Sequence, residues 1–98
     1  MNSNSSAAAA VSVVVVNYNA GDLLIECVTS VRCQVKEVII VDNASHDTSV
    51  RQAQHAFRDD PSIRFILNSA NLGFATACNI GVAAATGEYI LFFNPDGK

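Results

Sequence analysis

Two rhythms alternate along this chain. Residues 11–16 (VSVVVV) are apolar except at Ser12 and almost entirely β-branched, which predicts a strand of a parallel sheet covered on both faces. Residues 23–31 then place Leu24, Cys27, Val28 and Val31 on one helical stripe, entered through Asn19-Ala20-Gly21-Asp22. The strand signal returns in EVIIVDN. A helix is predicted over residues 48–57, capped by Ser45 and Asp47, with Arg51, Gln52, Gln54, His55 and Arg58 on its solvent face. Asp59-Asp60-Pro61 ends it. IRFILN gives a third strand, GFATACNIGVAAAT a mostly apolar third helix stopped by Gly87, and EYILFF a fourth strand. The order β-α-β-α-β-α-β predicts a three-layer, Rossmann-like α/β domain with a parallel sheet and right-handed crossovers.

Composition narrows the partners. Half of the 98 residues are hydrophobic, enough for a packed core, and the formal charge of -3 comes with no basic stripe, so nucleic acid is not the expected partner. Residues 1–10 are Ser, Asn and Ala and read as a flexible tail, leaving residues 11–98 as the folded unit. The opening lacks the positive charge of a secretory signal, and AAAAVSVVVV is shorter than the ~20 apolar residues of a membrane span, so a cytoplasmic location is expected, with the inner face of the membrane as a second possibility. Cys27, Cys33 and Cys78 are odd in number and lack C-x-x-C spacing, which predicts reduced, buried thiols.

The polar residues gather where the strands end. In open α/β sheets, ligands bind beyond the carboxyl ends of the strands. Here the four strands exit into Asn17-Tyr18-Asn19, Asp42-Asn43-Ala44-Ser45, Asn68-Ser69-Ala70-Asn71 and Asn94-Pro95-Asp96. Turn chemistry explains any one of these, but four at one edge make a polar rim suited to a nucleotide. Gly73 opens the third helix, whose free N–H groups could face a phosphate; equally, the glycine could serve only a tight turn. Asn79 lies on the same helix among Ala, Ile, Val and Cys, where a buried amide must either brace a neighbouring loop or reach a ligand. Asp42 could accept hydrogen bonds from a base or ribose, or cap the turn that follows it. Asn94 and Asp96, held by Pro95, could point at one Mg²⁺ or Mn²⁺, or simply form a turn. His46 and His55 read as a loop and a surface histidine.

VSVVVVNYN, VIIVDNASHDTS and NLGFATACNIGVAAATGEYILFFNPD together resemble the nucleotide-sugar-binding part of a family 2 glycosyltransferase of the GT-A fold, from about Val11 to Asp96. The resemblance implies that Asn17, Tyr18, Asn19 and Asp42, with Asn43 beside them, contact base and ribose. It implies that Gly73 and Asn79 border the nucleotide. It also implies that Asn94-Pro95-Asp96 stands at the Asp-x-Asp metal motif, with Asp96 as the Mg²⁺ or Mn²⁺ ligand. Asn in place of the first Asp is similar to rhamnosyltransferase-like members, which suggests a dTDP-sugar donor, with UDP-sugars next.

In such enzymes a second half binds a saccharide or lipid-linked acceptor and supplies the base that deprotonates it, and residues 11–98 are expected to contain none of it. The chain is therefore expected to bind donor without turning it over, with no catalytic residue of its own, and to present the fourth strand as an open edge prone to self-association. Two other classes compete. A sugar nucleotidyltransferase would need a basic, Gly-rich loop after the first strand, where NYNAGDLL has neither Lys nor Arg. A non-catalytic nucleotide-binding or interaction module would show no metal-dependent nucleotide binding.

Overall fold

The computed structural model describes residues 10–95. Its elements are β1 (Val11–Asn17), α1 (Asp22–Val31), a short 3-10 turn (Arg32–Gln34), β2 (Glu37–Asp42), α2 (Ser49–Ala56), β3 (Ile63–Leu67), α3 (Phe74–Ala84) and β4 (Tyr89–Phe93). All strand pairs are parallel, in the order β3-β2-β1-β4. The chain walks outward from β1 to β3, then returns to the other flank of β1. Right-handed crossovers must then put α3 on the face opposite α1 and α2.

The packing bears this out. Val13, Val15, Val38 and Ile40 meet Leu24 and Val28 of α1 and Ala53 of α2, while Val14, Val16, Ile39 and Val41 meet Ala77 and Cys78 of α3. Both central strands are thus buried on both faces, which is why their sequences are continuous apolar runs rather than alternating ones. Burying each Val, Leu or Ile side chain contributes about 1.5–3 kcal/mol before chain entropy is subtracted, so these strands anchor the sheet. The solvent face expected for α2 is also observed, with Arg51, Gln52, Gln54, His55 and Arg58 all exposed.

Four local expectations are corrected. The third helix stops at Ala84 rather than reaching Thr86, because the Thr86 N–H turns away to donate to Glu37 Oε2 at 2.7 Å. The second helix starts at Ser49, whose N–H is taken by Asp47 Oδ1 at 3.1 Å; Ser45 does not cap it but joins the neighbouring loops. Cys33 is exposed, carried outward by the 3-10 turn, whereas Cys27 is half-buried and Cys78 buried; all three are free thiols.

Asn79 is the fourth. It is exposed, because α3 turns Ala77, Cys78 and Gly81 toward the sheet and Asn79 lies off that stripe.

Candidate functional site

Strand register sets the site's frame. Asn17 of β1 lies beside Asp42 of β2, and Asp42 beside Leu67 of β3. On the other flank Phe93 of β4 pairs with Val15, so Asn94 and Pro95 emerge at the level of Val16 and Asn17. The polar exits of all four strands therefore open on one edge of the sheet, where the strand order reverses.

Beneath the rim lies a hydrogen-bonded knot. Asn17, fully buried, shares the two hydrogens of Nδ2 among Asp42 Oδ1 (2.9 Å), Ser49 Oγ (2.9 Å) and, more distantly, Ser45 Oγ (3.2 Å). Both serines can accept there because they spend their own protons on carboxylates, Ser45 on Asp42 Oδ1 and Ser49 on Asp47 Oδ1, each at 2.6 Å. With both serine protons spent on carboxylates, the three oxygens facing this amide are acceptors, which fixes its nitrogen toward them. Asn17 Oδ1 is left buried with no partner among the described residues. Asp42, only 6% exposed, also receives the Ser45 N–H on Oδ2 at 3.0 Å, the turn-capping contact weighed from the sequence.

The flanking loops are tied to this knot. Asn19, at a left-handed φ of 54°, receives the N–H groups of His46 (2.7 Å) and Asp47 (3.2 Å) on Oδ1. Burial works against the charge on Asp47, but donors from Ser49 and Gly21 outweigh it and hold its carboxyl below the usual range. Asn43 is buried and reaches across to the loop before α3: it donates to the Gly73 carbonyl at 3.2 Å and accepts from Asn68 Nδ2 at 3.0 Å and the Leu72 N–H at 3.3 Å. Gly73 sits at φ 83°, a conformation that favours glycine, and its carbonyl starts the helix while no side chain caps it. The first N–H groups of α3 thus stand at the rim.

The structure therefore sorts the sequence-predicted residues. Asn17, Asp42 and Asn43 form the buried brace; Tyr18, Asn19 and Gly73 are exposed on the rim; Asn94 is half-buried at the end of β4; and Asn79 faces solvent farther along α3. Asp96, the expected metal ligand, lies outside the described residues. Among the described residues no three His, Cys, Asp or Glu side chains cluster to hold a metal ion. Ser45 and Ser49 were missed as brace members. Their signal was the buried amide of Asn17, which had to find acceptors.

Away from the rim, a groove of about 480 Å³ is lined by Arg32, Cys33, Phe57, Asp59, Asp60 and Pro61, with Arg32 stacked 5.1 Å from the Phe57 ring and paired with Asp60 at 3.4 Å. It lies at the amino end of the sheet and shares no residue with the rim. Among the described residues no helix is long and apolar enough to cross a membrane.

This arrangement has relatives. An uncharacterised glycosyltransferase of Escherichia coli K12, YibD, is 37% identical over 90 residues, covering 89% of this chain and 26% of its own length. TarS of S. aureus (residues 1–349), solved with UDP-GlcNAc, superposes with a TM-score of 0.75 at 26% identity over 88% of this chain and 26% of its own. The mannosyltransferase PcManGT of Pyrobaculum calidifontis, solved with GDP-Man and Mn²⁺, gives a TM-score of 0.75 at 28% identity over 89% of this chain and 27% of its own. The chain thus spans about a quarter of the length of these relatives. The sheet order, the GT-A fold of these neighbours and a match to the Glycosyl transferase family 2 model over residues 12–98 lead to one conclusion: the chain belongs to glycosyl transferase family 2.

Proposed function

We propose that this chain is the donor-binding part of a glycosyltransferase that moves a sugar from a nucleoside diphosphate to an acceptor hydroxyl. The observation that carries this reading is the braced rim. Asn17, Asp42 and Asn43 lock the loops after β1, β2 and β3 to one another, and that rigid edge presents Tyr18, Asn19 and the uncapped start of α3 together. A base and ribose fit along the Asn17-to-Asn19 and Asp42-Asn43 loops, and a diphosphate fits the N-terminus of α3, where N–H groups and the helix dipole favour negative charge. The neighbours' complexes with UDP-GlcNAc and GDP-Man support a nucleotide-sugar; dTDP- and UDP-sugars are the donors proposed for this chain.

Mg²⁺ or Mn²⁺ is the cation we propose for the end of β4. Such ions bind through one or two carboxylates, water and substrate phosphates, and Asn94-Pro95-Asp96 offers one carboxylate and one amide oxygen. In transfer the bond from the anomeric carbon to the diphosphate breaks and a bond to the acceptor oxygen forms; a divalent ion held at Asp96 would supply positive charge to offset the charge building on the leaving group. The acceptor's proton needs a base within hydrogen-bond reach of the attacking oxygen, and Asp42 and Asp47 are engaged in bracing the rim loops. We therefore assign the base and the saccharide or lipid-linked acceptor site to sequence outside this chain, and expect no transfer by the chain alone.

Titration calorimetry with UDP and dTDP, with and without Mn²⁺, tests the reading. Binding that Mn²⁺ tightens at least about tenfold is expected, and millimolar nucleotide with no metal-dependent heat would instead favour a non-catalytic module.

A further inference from the structure

At the sheet edge opposite the rim, a second buried network holds a carboxylate that the donor-site reading does not use. Glu37 opens β2, is 8% exposed, and accepts four kinds of donor: Ser12 Oγ of β1 (2.7 Å), Arg64 Nη2 of β3 (2.9 Å), and the Thr86 N–H (2.7 Å) and hydroxyl (3.0 Å) from the crossover between α3 and β4. Its donors extend the grip. Arg64 also reaches the Ala84 carbonyl that ends α3, at 2.6 Å, and Ser12 Oγ accepts the Gly87 N–H at 2.8 Å. Gly87 lies so close to β1 that a Cβ there would stand 2.5 Å from the Ala10 carbonyl and 2.6 Å from Ser12 Oγ. Two residues later β4 begins, with the Tyr89 N–H on the Ala10 carbonyl at 3.1 Å.

Why β4 needs this grip follows from its sequence. Among the described residues β4 pairs with β1 alone, and its five residues, YILFF, are apolar throughout. Register is strongly specified when a slip would exchange buried apolar for exposed polar residues. YILFF carries no such alternation, so its polarity pattern does not fix the register, and only Ile90 and Phe93 pack into the cores. A slip by two residues keeps every side chain on its face yet moves the strand by ~6.6 Å. That is several times the length of a metal–oxygen bond.

We propose that Glu37 is a positioning residue: by clasping Ser12, Arg64 and Thr86 it sets the register of β4 on β1, and so fixes from one end of the sheet where Asn94 and Pro95 leave the other. The consequence for metal rests on the donor-site reading; the consequence for strand register does not.

The test uses this chain with Glu37→Gln, which keeps the side-chain shape and removes the charge, and Ser12→Ala, which keeps Glu37 bound to Thr86 and Arg64 while cutting the relay to Gly87. Two readouts are taken: amide exchange and cross-strand NOEs between β4 and β1, and UDP affinity with and without Mn²⁺. The expected result for Glu37→Gln is loss of protection and of the Val13–Leu91 level contacts in β4 with β2 and β3 retained, and loss of most of the Mn²⁺ increment while metal-free UDP affinity changes less than about twofold. Ser12→Ala should move both readouts the same way by less. If Glu37→Gln does not fold, Ser12→Ala decides alone.

Intact β4 register in the variants overturns the proposal, as does equal loss of protection across all four strands. A wild-type chain with no Mn²⁺ increment would count against the donor-site reading only, leaving the register readout to decide the clasp.

Discussion

Single residues divide here into those exposed on the rim and those that hold the rim still. Asn17 belongs to the second kind, since its amide lies 2.9 Å from Asp42 with no room for a second charge. Asn17→Asp should therefore destabilise the fold by about 3 kcal/mol or more near neutral pH, less in acid where one carboxyl is protonated, as read from urea midpoints. Glu37 provides a pH signature. Burial opposes its ionisation, but the donors from Ser12, Thr86 and Arg64 outweigh it and lower its pKa from an ordinary 4.5 to about 2. A depressed carboxyl stabilises the fold above its unfolded value, so that contribution is complete above pH 4.5 and is lost as pH falls toward 2. Wild type should lose stability over that window more steeply than Glu37→Gln; parallel profiles would mean the clasp contributes nothing. The sequence marked Asp42, Asn43 and Gly73 as residues of interest but could not tell brace from rim. That distinction depends on which hydrogen bonds close between loops far apart in the chain.

At the scale of elements, β1, β2 and α1 were legible because their apolar patterns are unambiguous. Val13 to Val16 are buried on both faces, as a continuous run requires, and Leu24 and Val28 form the stripe of α1. α3 was not legible in the same way. Its residues are apolar nearly all round, so periodicity could not say that Asn79 faces solvent while Ala77, Cys78 and Gly81 face the sheet. Its end was hidden too, because what stops it is Glu37, 49 residues away from Thr86 in sequence.

The strand β4 leaves an open edge among the described residues, with Tyr89, Leu91 and Phe92 exposed. Unpaired strand edges of this kind promote pairing with another chain. We expect concentration-dependent self-association of this chain by sedimentation velocity, weakened at least about tenfold by Leu91→Lys. A clean monomer at several hundred micromolar, or association untouched by the lysine, would count against β4 as the contact.

Across the whole molecule, the two polar networks occupy opposite ends of one sheet, one bracing the rim and one clasping the crossover that feeds β4 into it. Under the donor-site proposal, residues 17–19, 42–45, 73–75 and 93–95 surround a single nucleotide–metal site. Paramagnetic broadening of the amide NMR spectrum by substoichiometric Mn²⁺ in the presence of UDP measures this most directly. Broadening should centre on those four segments, depend on UDP and be abolished by Asp96→Asn. Broadening centred on the Arg32–Asp60 groove, or spread evenly over the surface regardless of nucleotide, would contradict it.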